Sequence, residues 1–235
     1  MFLKNNMMKG FILAGGRGTR LRPVTYEIPK PLLPVKGRAV ITHLVDLFLE
    51  NEVEDIKINI LEEDQDDFRN WKEQNFPDEK ISFIVEKNPT GTFTPLIKSG
   101  EWFSEAIVVS NGDELKELDL KKMVKMHKEK KSLATIALTK VDNPKNYGVV
   151  KLTGEMITEF MEKPKSADSK LINSGLYVLS PEIKDYYPED KKCVMLEKDL
   201  FPLLSAEKKL KGYVFDGRWQ DIGTFNRWEK AIKKW

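Results

Sequence analysis

The chain places a glycine-rich loop directly after its first apolar strand, and that order restricts what it can fold into. The strand reads Lys9–Ala14. The loop continues as Leu13-Ala14-Gly15-Gly16-Arg17-Gly18-Thr19-Arg20-Leu21-Arg22-Pro23, with Pro29-Lys30-Pro31-Leu32 close behind. Glycine has no Cβ, so the backbone N–H groups of such a loop can come close to an anion. Arg17, Arg20, Arg22 and Lys30 fall in the same stretch, opposed only by Glu27. The residues describe a loop built to hold a polyphosphate.

The rest of the first half alternates in period. Apolar runs predict strands at Ile56–Leu61, Ile81–Val85, Ala106–Ser110 and Leu133–Leu138. Between them, Ile41, Leu44, Val45 and Phe48 fall at the spacing of one buried helix face. Further helices are expected from about Asp64, burying Phe68 and Trp71, from Thr94 as N-cap with Pro95 first in the helix, and from about Asp119 to Lys130. Alternation of this kind predicts an α/β fold: a Rossmann-like, mixed, mostly parallel sheet with helices on both faces. After Asp142 the strands shorten, at Gly148–Leu152, Ile157–Met161, Ile172–Leu179 and Gly212–Phe215. We expect a single domain over 1–235. A loose extension covers 1–8, a nucleotide-binding half about 9–140, a substrate-binding half about 141–223, and a terminal helix 224–235. No hexapeptide repeat of a β-helix tail is present in the 235 residues.

Composition excludes several classes. The 39 basic and 37 acidic residues nearly cancel, so neither nucleic acid nor an anionic membrane is an expected partner. The basic run Lys121–Lys131 reads as the wet face of a helix. No apolar run reaches membrane-spanning length, and the start lacks a secretory pattern. With one cysteine, Cys193, no disulfide framework exists, which fits a reducing cytoplasm; Cys193 reads as a packing residue. Two histidines, His43 and His127, exclude most zinc sites, so any metal here is expected to be a hard ion held by carboxylates. Asp113 follows the carboxyl end of a strand, where open α/β sheets bind ligands. It suits magnesium there, and it equally suits an ordinary turn in Asn111-Gly112-Asp113. Asp221 likewise fits a metal site or a capping turn before the last helix.

The loop matches neither common nucleotide fingerprint. It ends Gly18-Thr19-Arg20 where a Walker loop needs Gly-Lys-Ser/Thr, and Leu21 stands where the dinucleotide pattern needs glycine. It does resemble the signature of the sugar-1-phosphate nucleotidyltransferases. The resemblance continues in order through Glu86–Thr92, Asn111-Gly112-Asp113, Tyr147-Gly148-Val149-Val150, Glu162-Lys163-Pro164, Asn173-Ser174-Gly175-Leu176-Tyr177 and Trp219-Gln220-Asp221-Ile222-Gly223-Thr224, nearly the whole chain.

The resemblance implies attack by a sugar 1-phosphate on the α-phosphorus of a nucleoside triphosphate, with pyrophosphate leaving. A phosphate monoester ionises a second time at about pH 6. The nucleophile is thus an anion at neutral pH, and alignment with charge neutralisation suffices. By resemblance, Arg20, Lys30 and Lys163 are catalytic, on the pyrophosphate, the α- and β-phosphates and the sugar phosphate. The nucleotide contacts are Leu13, Ala14, Gly15, Gly16, Gly18, Thr19, Glu86, Gly91, Thr92 and Asn111. Gly148, Glu162, Lys163 and Asn173 meet the acceptor, and Asp113 with Asp221 hold Mg2+. Glu114 reads as a bystander. Arg17, Arg22 and Arg218 receive no firm role. The resemblance leaves assembly into a homo-oligomer open.

Glu86 carries the expectation about the base. A carboxylate can accept from N1–H and the exocyclic amine of guanine, and it repels the carbonyls of uracil and thymine. The run Glu86–Thr92 resembles that of guanylyltransferases for mannose or manno-heptose phosphates, so GTP is the first reading. Some uridylyltransferases carry the same glutamate, which keeps UTP open. Phe93, where the family has small residues, either narrows the nucleotide pocket or turns into the core. A non-sugar acceptor such as phosphocholine, caged by Tyr147, Tyr177 and Trp219, is an alternative, as is a silent nucleotide-sugar-sensing subunit on the same fold.

Overall fold

A computed structural model describes residues 8–235. The extension expected over 1–8 lies outside the described residues, apart from Met8, which opens the first strand. In chain order the elements are β1 (Met8–Leu13), β2 (Pro34–Val35), β3 (Arg38–Ala39), α1 (Val40–Glu50), β4 (Val53–Leu61), α2 (Gln65–Asn75), β5 (Ile81–Glu86), α3 (Thr94–Lys98), β6 (Ile107–Asn111), β7 (Glu114–Lys116), α4 (Leu120–Glu129), β8 (Ala134–Lys140), β9 (Gly148–Thr153), β10 (Met156–Glu162), β11 (Leu171–Leu179), α5 (Phe201–Ala206), β12 (Leu210–Val214), β13 (Trp219–Asp221) and α6 (Phe225–Lys234).

Nine of the strands form one mixed sheet in the order β5-β4-β1-β6-β11-β8-β12-β10-β9. Its parallel pairing is concentrated in the first half, where β5, β4, β1 and β6 run together. The second half is antiparallel except for β12 beside β8. The difference follows from the connections. Helical crossovers return the chain to the same end of the sheet, so that the next strand runs parallel, whereas tight turns such as the one between β9 and β10 reverse it.

Because side chains alternate along a strand, each central strand feeds two cores. Ile12 of β1 and Val108 of β6 join the core on the α1 side, with Phe48, Phe68 and Met123. Their neighbours Phe11 and Val109 join the opposite core, with Phe93, Tyr177 and Phe201. Phe93 is therefore a core residue, fully buried and edge-on to Tyr187 at 5.4 Å, and it does not narrow a pocket. The start of α3 moves by one residue: Phe93 takes the cap position, and Thr94 Oγ1 bonds Tyr187 Oη at 3.1 Å. Cys193 is exposed, contrary to the packing role expected of it. Of the apolar side of α6, Trp228 and Trp235 pack under the glycine loop in a third cluster, while Phe225 and Ile232 remain exposed.

His127, on α4, is buried with both ring nitrogens engaged. Nδ1 lies 2.9 Å from Thr135 Oγ1 and Nε2 lies 2.9 Å from Ser180 Oγ. Ser180 Oγ already donates to Ser132 O, so it accepts from Nε2–H, and Nδ1 is left as an acceptor. Burial, aided by Lys128, pushes the imidazole down from 6.5 to about 4. The folded state then binds its proton more weakly than the unfolded one. Stability from this group is full above pH 6.5 and is lost as pH falls toward 4. Denaturant melts at pH 7.5 and 4.5 should differ by about 3 kcal/mol more in the native protein than in His127→Phe. Equal differences in the two proteins would show that His127 is not held neutral.

Candidate active site

The glycine loop leaves the sheet where the chain changes direction. From β1 the chain builds outward to β4 and β5, then returns to the other side of β1 as β6. A crevice opens outside the carboxyl ends of β1 and β6 at such a point. Ala14 N donates to Asn59 O at 3.0 Å and Gly112 N to Leu13 O at 2.9 Å, which anchors the loop base to both neighbouring strands. The resulting cleft holds about 400 Å³. Leu13, Ala14, Gly15, Gly16, Gly18, Thr19, Arg20, Lys30, Gly91, Thr92, Asn111 and Asp113 all line it.

A smaller cavity of about 160 Å³ adjoins it, lined by Gly148, Glu162, Lys163, Asn173 and Asp221. Arg20, Asn111, Asp113, Met195, Glu197 and Gly223 face both spaces. The two aspartates meet there through a ribbon of two short strands. In it β7 pairs antiparallel with β13, so that Asp221 lies opposite Glu114, and Ile222 N donates to Asp113 O at 3.1 Å.

The electrostatics at this junction are dense. Lys30 Nζ donates to Asp113 Oδ2. Burial works to raise the Asp113 carboxyl, but the charge and hydrogen bond of Lys30, with help from Lys116, hold it below the usual carboxylate range. Asp221 accepts from Gly223 N at 2.9 Å and Arg227 Nη1 at 3.0 Å on Oδ1, and from Tyr147 Oη at 2.8 Å on Oδ2. Burial, together with that carboxylate, pushes the Tyr147 phenol up, so it stays a donor. The donor set fits one hard divalent ion. An ammonium already rests on Asp113, and Asp221 Oδ2 keeps one lone pair. Two carboxylates suffice where phosphate oxygens and water complete the shell.

Glu86 is not part of the cleft wall. It is 3% exposed, behind the wall, and its carboxylate accepts from Asn59 Nδ2 at 3.1 Å, from Lys98 Nζ at 2.7 Å and from Thr90 Oγ1. Direct contact of Glu86 with a base, expected from the sequence, therefore meets a side chain whose oxygens are engaged by protein. Asn173 lines the smaller cavity with one bond on each polar atom: its Nδ2 donates to Tyr177 Oη at 2.9 Å and its Oδ1 accepts from Gly175 N at 2.8 Å, which leaves one N–H and one lone pair. Tyr177 lies in the core, so no three-walled aromatic cage forms; only Tyr147 and Trp219 meet, at 5.3 Å. Arg17 reaches Asn88 across the loop, Arg22 stacks on Tyr26, and Arg218 pairs with Glu117 beside Trp235. None of these three arginines lines either cavity.

Gly148 has no room for a side chain, since a Cβ would come 2.6 Å from Phe160 and 3.1 Å from Glu162 Oε2. Its glycine leaves space for Glu162 to face the smaller cavity. Lys163 has φ of 46°, in the left-handed region, and its N–H bonds Tyr147 O at 3.1 Å. Such a backbone in a non-glycine residue is held by its surroundings and often marks a functional position. Here it ends β10 and turns the lysine to lie 3.0 Å from Glu162.

Two residues, Glu197 and Lys116, escaped the sequence reading, and a third, Glu114, takes a place other than the one expected of it. Glu197 sits on a π-helical turn over Leu196–Leu200, a distortion frequent at functional sites. It bonds Thr92 Oγ1 at 2.7 Å and Tyr177 Oη at 3.2 Å, and burial raises its carboxyl. Glu114 is no bystander. It lies buried under the junction, accepting from Asn111 Nδ2 at 3.0 Å and Trp219 Nε1 at 2.9 Å, and burial pushes it up to about 7. Lys116, 3.4 Å from it, is buried too, and its ammonium is correspondingly lowered. The spacing of Glu114 and Lys116, two apart on one strand face, was the available signal.

The sheet order, the switch-point cleft and the paired carboxylates define an α/β protein with a ligand cleft outside the carboxyl ends of its central strands. Residues 9–235 match the Nucleotidyl transferase family, and the chain belongs to that family. It is 37% identical over 224 residues to the mannose-1-phosphate guanyltransferase of Saccharomyces cerevisiae, covering 92% of this chain and 61% of the yeast protein. It is also 37% identical over 230 residues to the probable mannose-1-phosphate guanylyltransferase 3 of Oryza sativa subsp. japonica, with the same coverage. The chain thus spans about three fifths of the length of these relatives. Among solved structures, a putative glucose-1-phosphate thymidylyltransferase from Bacillus anthracis, in complex with a sucrose, superposes with a TM-score of 0.87 at 28% identity, covering 96% of this chain and 94% of that one. HddC from Yersinia pseudotuberculosis complexed with GMP-PN gives 0.81 at 29% identity, covering 97% and 99%.

Proposed function

We propose that this chain transfers a guanylyl group from GTP to the phosphate of a manno-configured sugar 1-phosphate. The observation that carries the reading is the junction itself. Asp113 and Asp221, far apart in sequence, meet between a cationic glycine-loop cleft and a smaller polar cavity. Two anionic substrates, one in each space, would meet at that line. The names of the guanyltransferase relatives, and the GMP-PN in the Yersinia structure, support guanine as the base.

In this reading a sugar-phosphate oxygen forms a bond to the α-phosphorus, the bond from that phosphorus to the bridging oxygen breaks, and pyrophosphate leaves with its electrons. Arg20 neutralises the departing group with a forked guanidinium. Lys30 lies across the α- and β-phosphates. Lys163 holds the acceptor phosphate, and Glu162 accepts from sugar hydroxyls. Magnesium held by Asp113 and Asp221 supplies further charge neutralisation when bound. No general base is required.

Pyrophosphate release with GTP, ATP, UTP, CTP and dTTP, each against a panel of sugar 1-phosphates and phosphocholine, tests the proposal. Turnover is expected with GTP and a manno-configured acceptor. Nucleotide binding with no turnover on any acceptor would instead favour a sensing subunit. Lys163→Ala should raise the KM for the acceptor by about tenfold to a hundredfold, the worth of a charge-assisted hydrogen bond, and leave the KM for GTP near its native value. The reverse pattern would move Lys163 to the triphosphate.

A further inference from the structure

The wall of the cleft carries two kinds of residue. Arg20, Lys30 and Asp113 are charged, whereas Asn59, on β4, and Pro89 and Gly91, which follow β5, are not. If the cleft takes a nucleoside triphosphate, as proposed above, the phosphates belong with the cations and the base belongs with the uncharged residues.

The polar side chain among these three is Asn59. It stands near the carboxyl end of β4, is 2% exposed, and presses against the glycine loop: a Cβ on Gly15 would come 2.6 Å from Asn59 Oδ1. Its Nδ2 donates to Glu86 Oε2 at 3.1 Å and points toward Ile84 O at 3.4 Å. Both neighbours on that side are acceptors, so the amide has one satisfactory orientation: NH2 toward Glu86, carbonyl oxygen toward the loop and cleft. No donor among the described residues reaches Oδ1 within hydrogen-bond distance. Glu86 itself stays behind, tied to Lys98 and Thr90.

We propose that Asn59 reads the nucleotide base, with Oδ1 accepting from the N1–H and 2-amino edge of guanine. Glu86 is a positioning residue that fixes which end of the amide faces the cleft. Guanine offers two adjacent donors on that edge. Uracil and thymine offer one N–H between two carbonyl oxygens, and adenine offers an unprotonated ring nitrogen. An acceptor oxygen whose NH2 is held by a buried carboxylate attracts the first pattern and repels the carbonyls of the second. A glutamate at position 86 thus favours guanine indirectly, through an amide it cannot allow to turn.

The test compares native protein, Asn59→Leu and Glu86→Gln. The readouts are kcat/KM for pyrophosphate release with GTP, ITP and UTP, the KM for the acceptor, calorimetric binding of GTP and UTP, and thermal melting. Asn59→Leu should lower the GTP-to-UTP ratio of kcat/KM by about tenfold to a hundredfold, and should bring the GTP-to-ITP ratio near one, because ITP lacks the 2-amino group. Glu86→Gln places an amide beside an amide, lets Asn59 turn, and should lower the GTP-to-UTP ratio with the acceptor KM unchanged. A general structural defect would not produce that split. Should Asn59→Leu fail to fold, Asn59→Ser, which withdraws the oxygen from the cleft, is read in the same way. A folded Asn59 variant with the native ratio overturns the proposal. So does a native protein that prefers UTP. A ratio that falls in Glu86→Gln alone returns base reading to Glu86 itself. If no nucleotide is turned over, the catalytic reading fails separately, and the calorimetric GTP-to-UTP binding ratio still decides the role of Asn59.

Discussion

Asp113→Asn should remove metal-dependent pyrophosphate release, by about 10³-fold or more in kcat, with little change in melting temperature. The size of the effect follows from the charge balance at the junction. Turnover there brings a triphosphate, a sugar phosphate and a departing pyrophosphate together, and charge neutralisation is the main help the protein can give. Asn matches Asp in shape and keeps one acceptor oxygen, so the turn between β6 and β7 has no steric reason to move. Lys30, now resting on Asp113, would face a neutral amide and swing toward the phosphates. That compensates charge but supplies no ligand for the ion. Pyrophosphate release measured against magnesium concentration separates the two effects: a native kcat reached at higher magnesium would mean that Asp113 only tunes affinity. Full activity at native magnesium concentrations would remove Asp113 from the metal site. Asp221→Asn is a weaker form of the same experiment, because Tyr147, Gly223 and Arg227 already share its oxygens.

The parts of this molecule that a reader of the sequence could place are those with a period. Apolar runs gave β1, β4, β5, β6, β8 and β11, and the i, i+3, i+4, i+7 spacing gave α1. Burial on both faces forces such strands to be uniformly apolar, so they stand out. The ribbon of β7 and β13 was invisible for the opposite reason. Glu114-Leu115-Lys116 and Trp219-Gln220-Asp221 are three residues each and mostly polar; Glu114 and Lys116 are buried as a pair, and Asp221 is buried on partners that lie outside the ribbon. Glu197 was missed because its partners, Thr92 and Tyr177, lie on separate elements, and no local pattern links them. Asn59 was legible in principle. An asparagine among Ile56, Ile58, Ile60 and Leu61 has to find hydrogen-bond partners, and the strand ends beside the glycine loop. Glu86 stands out in the sequence through its place in the Glu86–Thr92 run, but its oxygens accept from Asn59, Thr90 and Lys98, partners that no local pattern reveals.

Gly91→Ala should be among the most damaging single-atom additions in the chain, for two separable reasons. Gly91 has φ of +95°, outside the range an L side chain readily adopts, and a Cβ there would come 2.2 Å from Val194 O. The second problem cannot be relieved by a rotamer change, since the obstacle is backbone. Val194 is itself fixed, its N bonded to Thr90 O at 3.0 Å and its O accepting from Phe93 N at 2.9 Å. To make room, the segment carrying Thr92 would have to part from the one carrying Met195 and Glu197, and both line the cleft. The expected loss is about 3 kcal/mol or more, which is roughly 6–12 °C in melting temperature for a domain of this size. A raised KM for GTP should accompany it. Two other glycines separate the causes. Gly154 has φ of +59° with nothing within 4 Å of a Cβ, so Gly154→Ala carries the backbone strain alone, about 1–2 kcal/mol. Gly16 has no positive φ and open space around it, so Gly16→Ala should leave the melting temperature within about a degree or two of native. Equal losses for Gly91→Ala and Gly154→Ala would show that strain, and not the contact with Val194, sets the cost at Gly91. An unchanged KM for GTP in a destabilised Gly91→Ala would detach the Gly91–Val194 contact from the nucleotide cleft.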